Sequence, residues 1–358
     1  MTEAVLLVGG QGTRLRPLTV STPKPMLPVA GVPFTVHQIT RARDAGITRI
    51  VLATSYRSDV FREFLDDADH GVEIVIATED EPLGTGGAIR HALPYLNSSG
   101  DDPVVVFNGD VLTGVDIAGL IRHHVNSASD VTLYLTPVPD PRAYGLVPTD
   151  ATGRVTAFLE KPQTPEEIVT NQINAGCYVF RSSVISAIPT GRPVSVERET
   201  FPQLLADDAR VSGVVDHGYW LDLGTPLAFA QGSRDLVLGL APSPAVPQIG
   251  ESLVLEGAVV ARDAVLSGGT TIGRRAHVES GAVIEGSVVF DDAHVHSGAR
   301  IRDSIIGAGA VIGEGSVVAG AVIGDGAHIG SGNELLDGVR IWPRAHLADG
   351  TVRFSSDS

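Results

Sequence analysis

The sequence predicts an α/β fold, a mostly parallel sheet with covering helices, followed by a prism of parallel strands built from hexapeptide repeats. Three observations carry this. Apolar runs alternate with helical stretches from residue 1 to about 232, and beyond about 249 one aliphatic side chain recurs every six residues. Near the amino terminus, Val5-Leu6-Leu7-Val8 breaks directly into a turn containing Gly9, Gly10 and Gly12. A buried strand opening into glycines lets backbone N–H groups approach a ligand without Cβ interference.

In chain order, strands are expected at Val5-Val8, Ile50-Ala53, Glu73-Ala77, Val104-Asn108, Val131-Thr136, Ala157-Leu159, Tyr178-Phe180 and Val211-Val215. Helical spacing marks Phe34-Ala45, Ser58-Leu65, Gly86-Leu93 and Ile117-Asn126. Strands separated by helices imply a Rossmann-like sheet covered on both faces, with ligands at the carboxyl ends of its strands. Domain boundaries are expected at 1–232, at a linker 233–248 where a short helix around Arg234-Gly239 meets Pro242, Pro244 and Pro247, and at 249–358.

In the last segment, Val260, Leu266, Ile272, Val278 and Ile284 stand six residues apart. Val289, Val295, Ile301, Ile306, Ile312, Val318, Ile323 and Ile329 follow in steps of five, six and six, so that Ile284, Ile301 and Val318 are 17 residues apart. One aliphatic per six-residue step suits three short strands per coil with each aliphatic pointing inward. A β-sandwich would show a period of two instead. Five or six coils at ~4.8 Å per strand give a prism roughly 25 Å long, resembling a left-handed parallel β-helix. Strand edges exposed at its ends imply capping or self-association, hence a homo-oligomer.

Composition narrows the function. The 358 residues exceed the usual single-core size, so two domains are the default. A formal net charge of -16 argues against a nucleic-acid or anionic-membrane surface as the main partner. No apolar run approaches the ~18 residues of a membrane span, and the amino terminus starts a strand without a basic and apolar signal segment, so a cytoplasmic location is expected. The single cysteine, Cys177, rules out an intrachain disulfide framework and lies in the apolar run Cys177-Tyr178-Val179-Phe180, where packing rather than nucleophilic catalysis is expected.

The glycine turn carries Arg14, a planar fork for phosphate oxygens, and further on Lys24, a compact charge held between Pro23 and Pro25. Two better-known phosphate motifs fail here: no Lys follows Gly12 as the P-loop requires, and Leu15 stands at the third glycine of G-x-G-x-x-G. Asp110 follows a strand in Phe107-Asn108-Gly109-Asp110, and Asp222 lies in Trp220-Leu221-Asp222-Leu223-Gly224-Thr225. Both offer hard oxygen to Mg²⁺, although either alone also suits a loop cap or turn. Glu160-Lys161 could clamp a sugar phosphate or form a solvated surface pair, with Asn174 and Gly176 nearby in Asn174-Ala175-Gly176. The rigid turn Glu79-Ala88 suits either a flat base lying on glycine backbone or a loop-to-helix cap. His123-His124 lacks the i, i+4 spacing of a shared metal and reads as a surface pair; His294 and His296 share a prism face without a complete acyltransferase site.

The stretch GGQGTRLRPLT followed by PKPM resembles the signature of the sugar-1-phosphate nucleotidylyltransferases, and the resemblance covers nearly the whole chain. It implies a nucleotidyltransferase domain ahead of the β-helix, with Arg14, Lys24, Asp110 and Asp222 catalytic and Asp110 and Asp222 binding the metal. Nucleotide contacts are implied at Leu7, Gly9, Gly10, Gly12, Thr13, Arg14, Glu81, Pro82, Gly84, Thr85, Asn108 and Gly109. Sugar-phosphate contacts are implied at Gly145, Glu160, Lys161, Asn174, Gly176 and, more weakly, Glu197. The segments PLGTGGA, FNGD, EKP, NAGCYVF and SVERE are most similar to members that transfer a guanylyl group from GTP to α-D-mannose 1-phosphate, giving GDP-mannose and pyrophosphate with Mg²⁺. Thymidylyl or uridylyl transfer to glucose 1-phosphate, and a catalytically silent sugar-nucleotide sensor, are the alternative readings.

Overall fold

A computed structural model describes residues 2–55, 59–61, 70–246 and 249–353. Most of the helix expected over 58–65 and Pro247 of the expected linker lie outside the described residues. Two compact units form, one from Met1–Gly10 with Gln38–Trp220, the other from Gln11–His37 with Leu221–Ser358. Each unit is therefore discontinuous in sequence. The glycine turn begins in the first and the Arg14 and Lys24 segment belongs to the second.

The first unit is built on a nine-stranded sheet. Its parallel part runs Pro103–Asn108, Thr2–Leu7, Ile47–Thr54, Glu73–Thr78, with Leu7 level with both Asn108 and Ala53. Val5, Val51, Val104 and Val106 are fully buried, as near-continuous apolar runs in a parallel sheet require. The expected parallel order stops at Gln172–Arg181, which pairs antiparallel with Pro103–Asn108 on one side and Val131–Pro137 on the other. Val211–Val215 then adds parallel to Val131–Pro137. The helices Gly84–Ala92 and Ile117–Asn126 lie close to their expected bounds. In the latter, Asp116 caps the first turn by accepting from Gly119 N at 2.8 Å.

One expectation fails here. Ile117, Leu120 and His124 share the buried face of their helix, so His124 is a core residue rather than half of a surface pair. Its Nδ1 lies 3.0 Å from Thr132 Oγ1, and burial pulls its pKa down to about 4. Helical periodicity governed this position, and the adjacent His123 obscured it.

The second unit contains three parallel sheets of six, six and five strands, the architecture of a β-helix. The six-residue period becomes direct stacking: Leu266, Ile284, Ile301, Val318 and Leu335 sit level on successive strands, as do Ile272, Val289, Ile306, Ile323 and Ile341. Ile284, Ile301, Ile306, Val318 and Ile323 are at most 1% exposed, and burying each aliphatic contributes roughly 1.5–3 kcal/mol. Where the step shortens to five, buried serines fill the corner: Ser304 N donates to Ser287 Oγ at 3.1 Å and Ala321 N to Ser304 Oγ at 3.1 Å. This ladder satisfies backbone groups that a tighter corner would orphan.

The helix expected around Arg234–Gly239 starts earlier, at Pro226, and ends at Val237. Thr225 caps it by accepting from Ala228 N at 3.2 Å, and Pro226 occupies the first turn where no N–H is needed. Phe229 packs edge-on to Phe290 at 6.4 Å, and Arg234 Nη1 reaches Asp303 at 3.4 Å, so this helix docks onto the prism.

Candidate active site

In the second unit, Gly12 adopts φ +60°, and a Cβ there would fall 2.9 Å from Lys24 Cβ and 3.0 Å from Thr19 Cγ2. Only glycine lets these two segments close together. Thr19 Oγ1 donates to Gly12 O at 2.8 Å, and a short 3-10 turn, Thr13–Leu15, follows with Leu15 fully buried. A second 3-10 turn, Lys24–Met26, carries Lys24 into the interior with only 8% exposure.

Asp222 lies between these cations: Lys24 Nζ stands 4.0 Å from Oδ1 and Arg14 Nη2 3.9 Å from Oδ2. At these separations the attraction between Asp222 and the two cations is coulombic. The guanidinium of Arg14 lies directly over Gly224, where any Cβ would collide with it. The run Asp222-Leu223-Gly224-Thr225-Pro226 thus supplies, in order, a carboxylate, a seat for Arg14, a helix cap and the first helical residue.

In the first unit, Gly109 N donates to Leu7 O at 2.9 Å, and a side chain at 109 would strike that same oxygen. Asp110 is therefore delivered beyond the paired ends of Thr2–Leu7 and Pro103–Asn108, half-buried. Gly9 packs against Ser55, its would-be Cβ 3.1 Å from Oγ, whereas Gly10 has open space around it. Beside Asp110, the strand Gln172–Arg181 bulges: its register with Val131–Pro137 shifts between Asn174 and Tyr178. Within the bulge Asn174 Nδ2 donates to Tyr178 Oη at 2.8 Å, and Gly176, at φ +75°, lets Asn108 approach.

Glu160 is paired with Gly145 across two short strands, and a Cβ at 145 would come 2.9 Å from Glu160 Oε2. Lys161 Nζ lies 3.6 Å from Glu160 Oε1 and is 54% exposed, so the pair is solvated as it stands. Trp220 Nε1 donates to Ala175 O at 3.0 Å and meets the Tyr144 ring edge-on at 5.3 Å, tying the loop before Gly145 to the bulge. Gly145, Glu160, Lys161, Asn174, Gly176, Asn108 and Gly109 consequently belong to one neighbourhood of the first unit.

The turn carrying Glu81, Pro82, Gly84 and Thr85 is braced separately. Glu79 Oε2 accepts from Leu83 N at 2.9 Å, and Gly86 N donates to Val194 O at 2.8 Å. Thr85 Oγ1 donates to Glu197 Oε2 at 2.7 Å and accepts from Val196 N at 2.9 Å. Glu197 also accepts from Ser195 Oγ at 2.9 Å, so in this structure its carboxylate braces the turn. Cys177 is fully buried and its thiol is pushed up to about 12 by burial, consistent with packing.

Three contributors escape sequence reading. Gln38 Nε2 donates to Asn108 O at 2.8 Å, and Arg41 donates to Thr113 O and, at 2.7 Å, to Val115 O. Their i, i+3 spacing on the helix Phe34–Asp44 was the available signal for a shared polar face. The third, Arg340, donates through Nη1 to the backbone carbonyls of Arg14 and Arg16, and its outward position on the prism gives the sequence no signal to distinguish it from any surface arginine.

The family model described as Nucleotidyl transferase matches residues 3–237, and the one described as GMPPB C-terminal domain matches residues 248–353. The chain belongs to the nucleotidyl transferase family. It is 56% identical to the mannose-1-phosphate guanylyltransferase of Mycobacterium tuberculosis, across 99% of this chain and 98% of that protein. It is 37% identical to the probable mannose-1-phosphate guanylyltransferase 3 of Oryza sativa subsp. japonica, across 80% of this chain and 79% of that one. Among solved structures, HddC from Yersinia pseudotuberculosis complexed with GMP-PN is similar with a TM-score of 0.56 and 29% identity, spanning 66% of this chain and 99% of that one. Among the described residues no helix is long and apolar enough to cross a membrane.

Proposed function

We propose that this chain transfers a guanylyl group from GTP to α-D-mannose 1-phosphate, releasing pyrophosphate and forming GDP-mannose. The observation that carries the chemistry is the placement of Asp222 between Arg14 and Lys24 in one compact unit, a cation-rich cradle with one hard carboxylate. The choice of guanine and mannose rests on the relatives' names.

A phosphate oxygen of mannose 1-phosphate attacks the α-phosphorus of GTP, and the bond from that phosphorus to the bridging β-phosphate oxygen breaks. The nucleophile needs no general base, because a phosphomonoester with a second pKa near ~6 is already largely dianionic at neutral pH. Catalysis then reduces to positioning and charge neutralisation. Arg14, 65% exposed, holds the departing pyrophosphate with a bidentate fork; the buried Lys24 opposes charge that grows on the α-phosphate oxygens. Lys161, held near Glu160, aligns the attacking phosphate, while Asn174 and Glu160 address sugar hydroxyls beside the bare backbone of Gly145 and Gly176. Leu7, Gly9, Gly10, Gly12, Thr13, Asn108 and Gly109 line the nucleotide, and the braced turn with Glu81, Pro82, Gly84 and Thr85 receives the base; Glu197, bonded to Thr85, is read as a further, weaker sugar-hydroxyl contact.

Asp110 and Asp222 are both carboxylates, hard oxygen donors whose chemistry fits a divalent cation. By the family resemblance Asp110 and Asp222 would hold Mg²⁺, which when bound would supply Lewis-acid polarisation of the phosphoryl oxygens. The protein is further read as a cytoplasmic homo-oligomer without nucleic-acid or membrane partners; a monomeric mass by size-exclusion light scattering would remove the oligomer.

The deciding assay measures pyrophosphate release from GTP, dTTP, UTP and ATP crossed with the 1-phosphates of mannose, glucose and N-acetylglucosamine, with and without Mg²⁺. GTP with mannose 1-phosphate and Mg²⁺ is the expected best combination. Preference for dTTP with glucose 1-phosphate overturns the substrate assignment, and no release from any pair overturns the activity in favour of a silent sensor.

A further inference from the structure

The prism reaches the loop that carries Arg14. Arg340 lies on the strand Arg340–Ile341, whose other residue, Ile341, continues the inward aliphatic stack, so strand alternation points Arg340 outward. Its Nη1 donates to two backbone carbonyls, Arg14 O at 2.9 Å and Arg16 O at 2.8 Å. These oxygens flank Leu15, whose side chain is fully buried on the other side of the turn. A second tie lies a few residues on, where Ser21 Oγ donates to Asp325 Oδ2 at 2.5 Å. A third fixes the far end of the segment: Ala30 N donates to Ser233 Oγ at 2.9 Å, and Ser233 in turn meets Thr271 Oγ1 of the prism at 3.3 Å.

Of these ties only Arg340 acts on the residue whose guanidinium meets Asp222. The Arg14 side chain is long, mostly exposed and held at its tip by a 3.9 Å coulombic contact, so its aim depends on where its backbone stands. A guanidinium that donates to the carbonyls on both sides of Leu15 removes the turn's freedom to roll about that buried leucine. Charge-assisted bonds of this kind are short and directional, and one donor group shared by two carbonyls fixes their spacing.

We propose that Arg340 is a positioning residue for nucleotidyl transfer: the β-helix, through this side chain, sets the backbone of the Arg14 turn and so aims the Arg14 guanidinium at the pyrophosphate of the bound nucleotide. This rests on the guanylyl-transfer reading above. It gives the β-helix a share in the chemical step beyond assembly.

The test compares Arg340→Ala, Arg340→Lys and Arg275→Ala with the wild-type full-length chain in steady-state pyrophosphate release. Arg275 forms a bidentate pair with Asp292 at 2.7 and 2.6 Å elsewhere on the prism and does not touch the loop, so its removal loosens the prism surface alone. Arg340→Ala is expected to lower kcat by about ten- to a hundred-fold while KM for mannose 1-phosphate stays within about two-fold. Arg340→Lys, which keeps a charged donor able to reach one carbonyl, recovers part of that loss, and Arg275→Ala keeps wild-type kcat. If wild-type enzyme turns over and Arg340→Ala matches its kcat, the positioning role is overturned; an equal fall in Arg275→Ala overturns it in favour of general prism damage. Should Arg340→Ala fail to fold, Arg340→Lys decides alone: a reduced kcat with an unchanged melting temperature supports the proposal, and an unchanged kcat overturns it. A wild-type enzyme with no turnover at all refutes the functional reading itself, a separate result.

Discussion

The two units use parallel strands in opposite ways. In the first, each strand of the sheet is different, and single residues at strand ends carry separate tasks: Asp110 after Gly109, the Asn174–Gly176 bulge, Gly145 opposite Glu160. In the second, the strands of the prism repeat one instruction, an inward aliphatic at every step, and Ile284, Ile301 and Val318 are interchangeable in kind. The comparison teaches that repetition secures a rigid support cheaply in information, while chemistry needs exceptions to repetition. Arg340 is such an exception, a side chain of a repetitive scaffold that bonds the backbone of the Arg14 turn.

The largest effects should fall on the two carboxylates Asp110 and Asp222. Asp110→Asn and Asp222→Asn are each expected to reduce turnover on the order of a hundred-fold or more, since an amide binds a divalent cation poorly and cannot balance Arg14 and Lys24. Near-normal rates at low Mg²⁺ in either variant would remove that residue from the metal site.

Core truncation separates the two units by how damage spreads. Ile301→Ala in the prism and Ile89→Ala against the sheet both empty fully packed positions and should each cost about 2–5 kcal/mol. Stacked coils interact with their neighbours alone, so hydrogen exchange should accelerate most in the strands Val283–Glu285 and Val317–Ala319 that flank Ile301. Ile89→Ala should lower protection throughout the sheet. Uniform loss in both variants would erase this distinction.

Acid provides a finer probe, because each unit contains one buried neutral histidine. Burial depresses His37 and His124 to about 4, and His37 is bound through Nε2 to Val29 O at 2.9 Å and through Nδ1 to Ser243 Oγ at 2.7 Å. The unfolded chain, with an ordinary histidine pKa near ~6.5, takes up the proton first as pH falls. Stability is therefore complete above about pH 6.5, declines down to about pH 4 and levels off below, by roughly 3 kcal/mol for His37. His37→Asn and His124→Asn should each flatten the dependence of melting temperature on pH across that window, and a wild-type melting temperature constant from pH 7 to 4 would contradict both burials. The smallest expected effect is that of Arg275→Ala, whose exposed ion pair is screened by solvent, so its denaturation midpoint should stay close to that of the wild type.

Much of this was legible before any coordinates. The spacing of Val260 through Ile329 translated residue by residue into stacked inner positions, because a strand pair in register brings equal steps of sequence to equal depths. Gly12 reads as a site of close approach, and the structure adds a neighbour it accommodates, Lys24; the same demand at Gly109, against Leu7 O, and at Gly224, against Arg14, has no sequence signal. The adjacent His123 masks the apolar helical face to which His124 belongs, and the antiparallel course of Gln172–Arg181 has no local signature, direction being a property of the connections on either side.

Composition, period and motif by themselves determined the two architectures, the phosphate-binding character of the opening loop and the family to which the chain belongs, because these depend on side-chain chemistry at short range and on repeats of fixed length. Tertiary structure alone decided that residues 11–37 join the carboxy-terminal unit, that Asp222 stands between Arg14 and Lys24, and that Arg340 holds the carbonyls of Arg14 and Arg16 across more than three hundred residues of chain. The reason is physical: a backbone carbonyl is the same acceptor at every residue, so which one a distant guanidinium finds is set by the path of the chain and leaves no mark in the sequence.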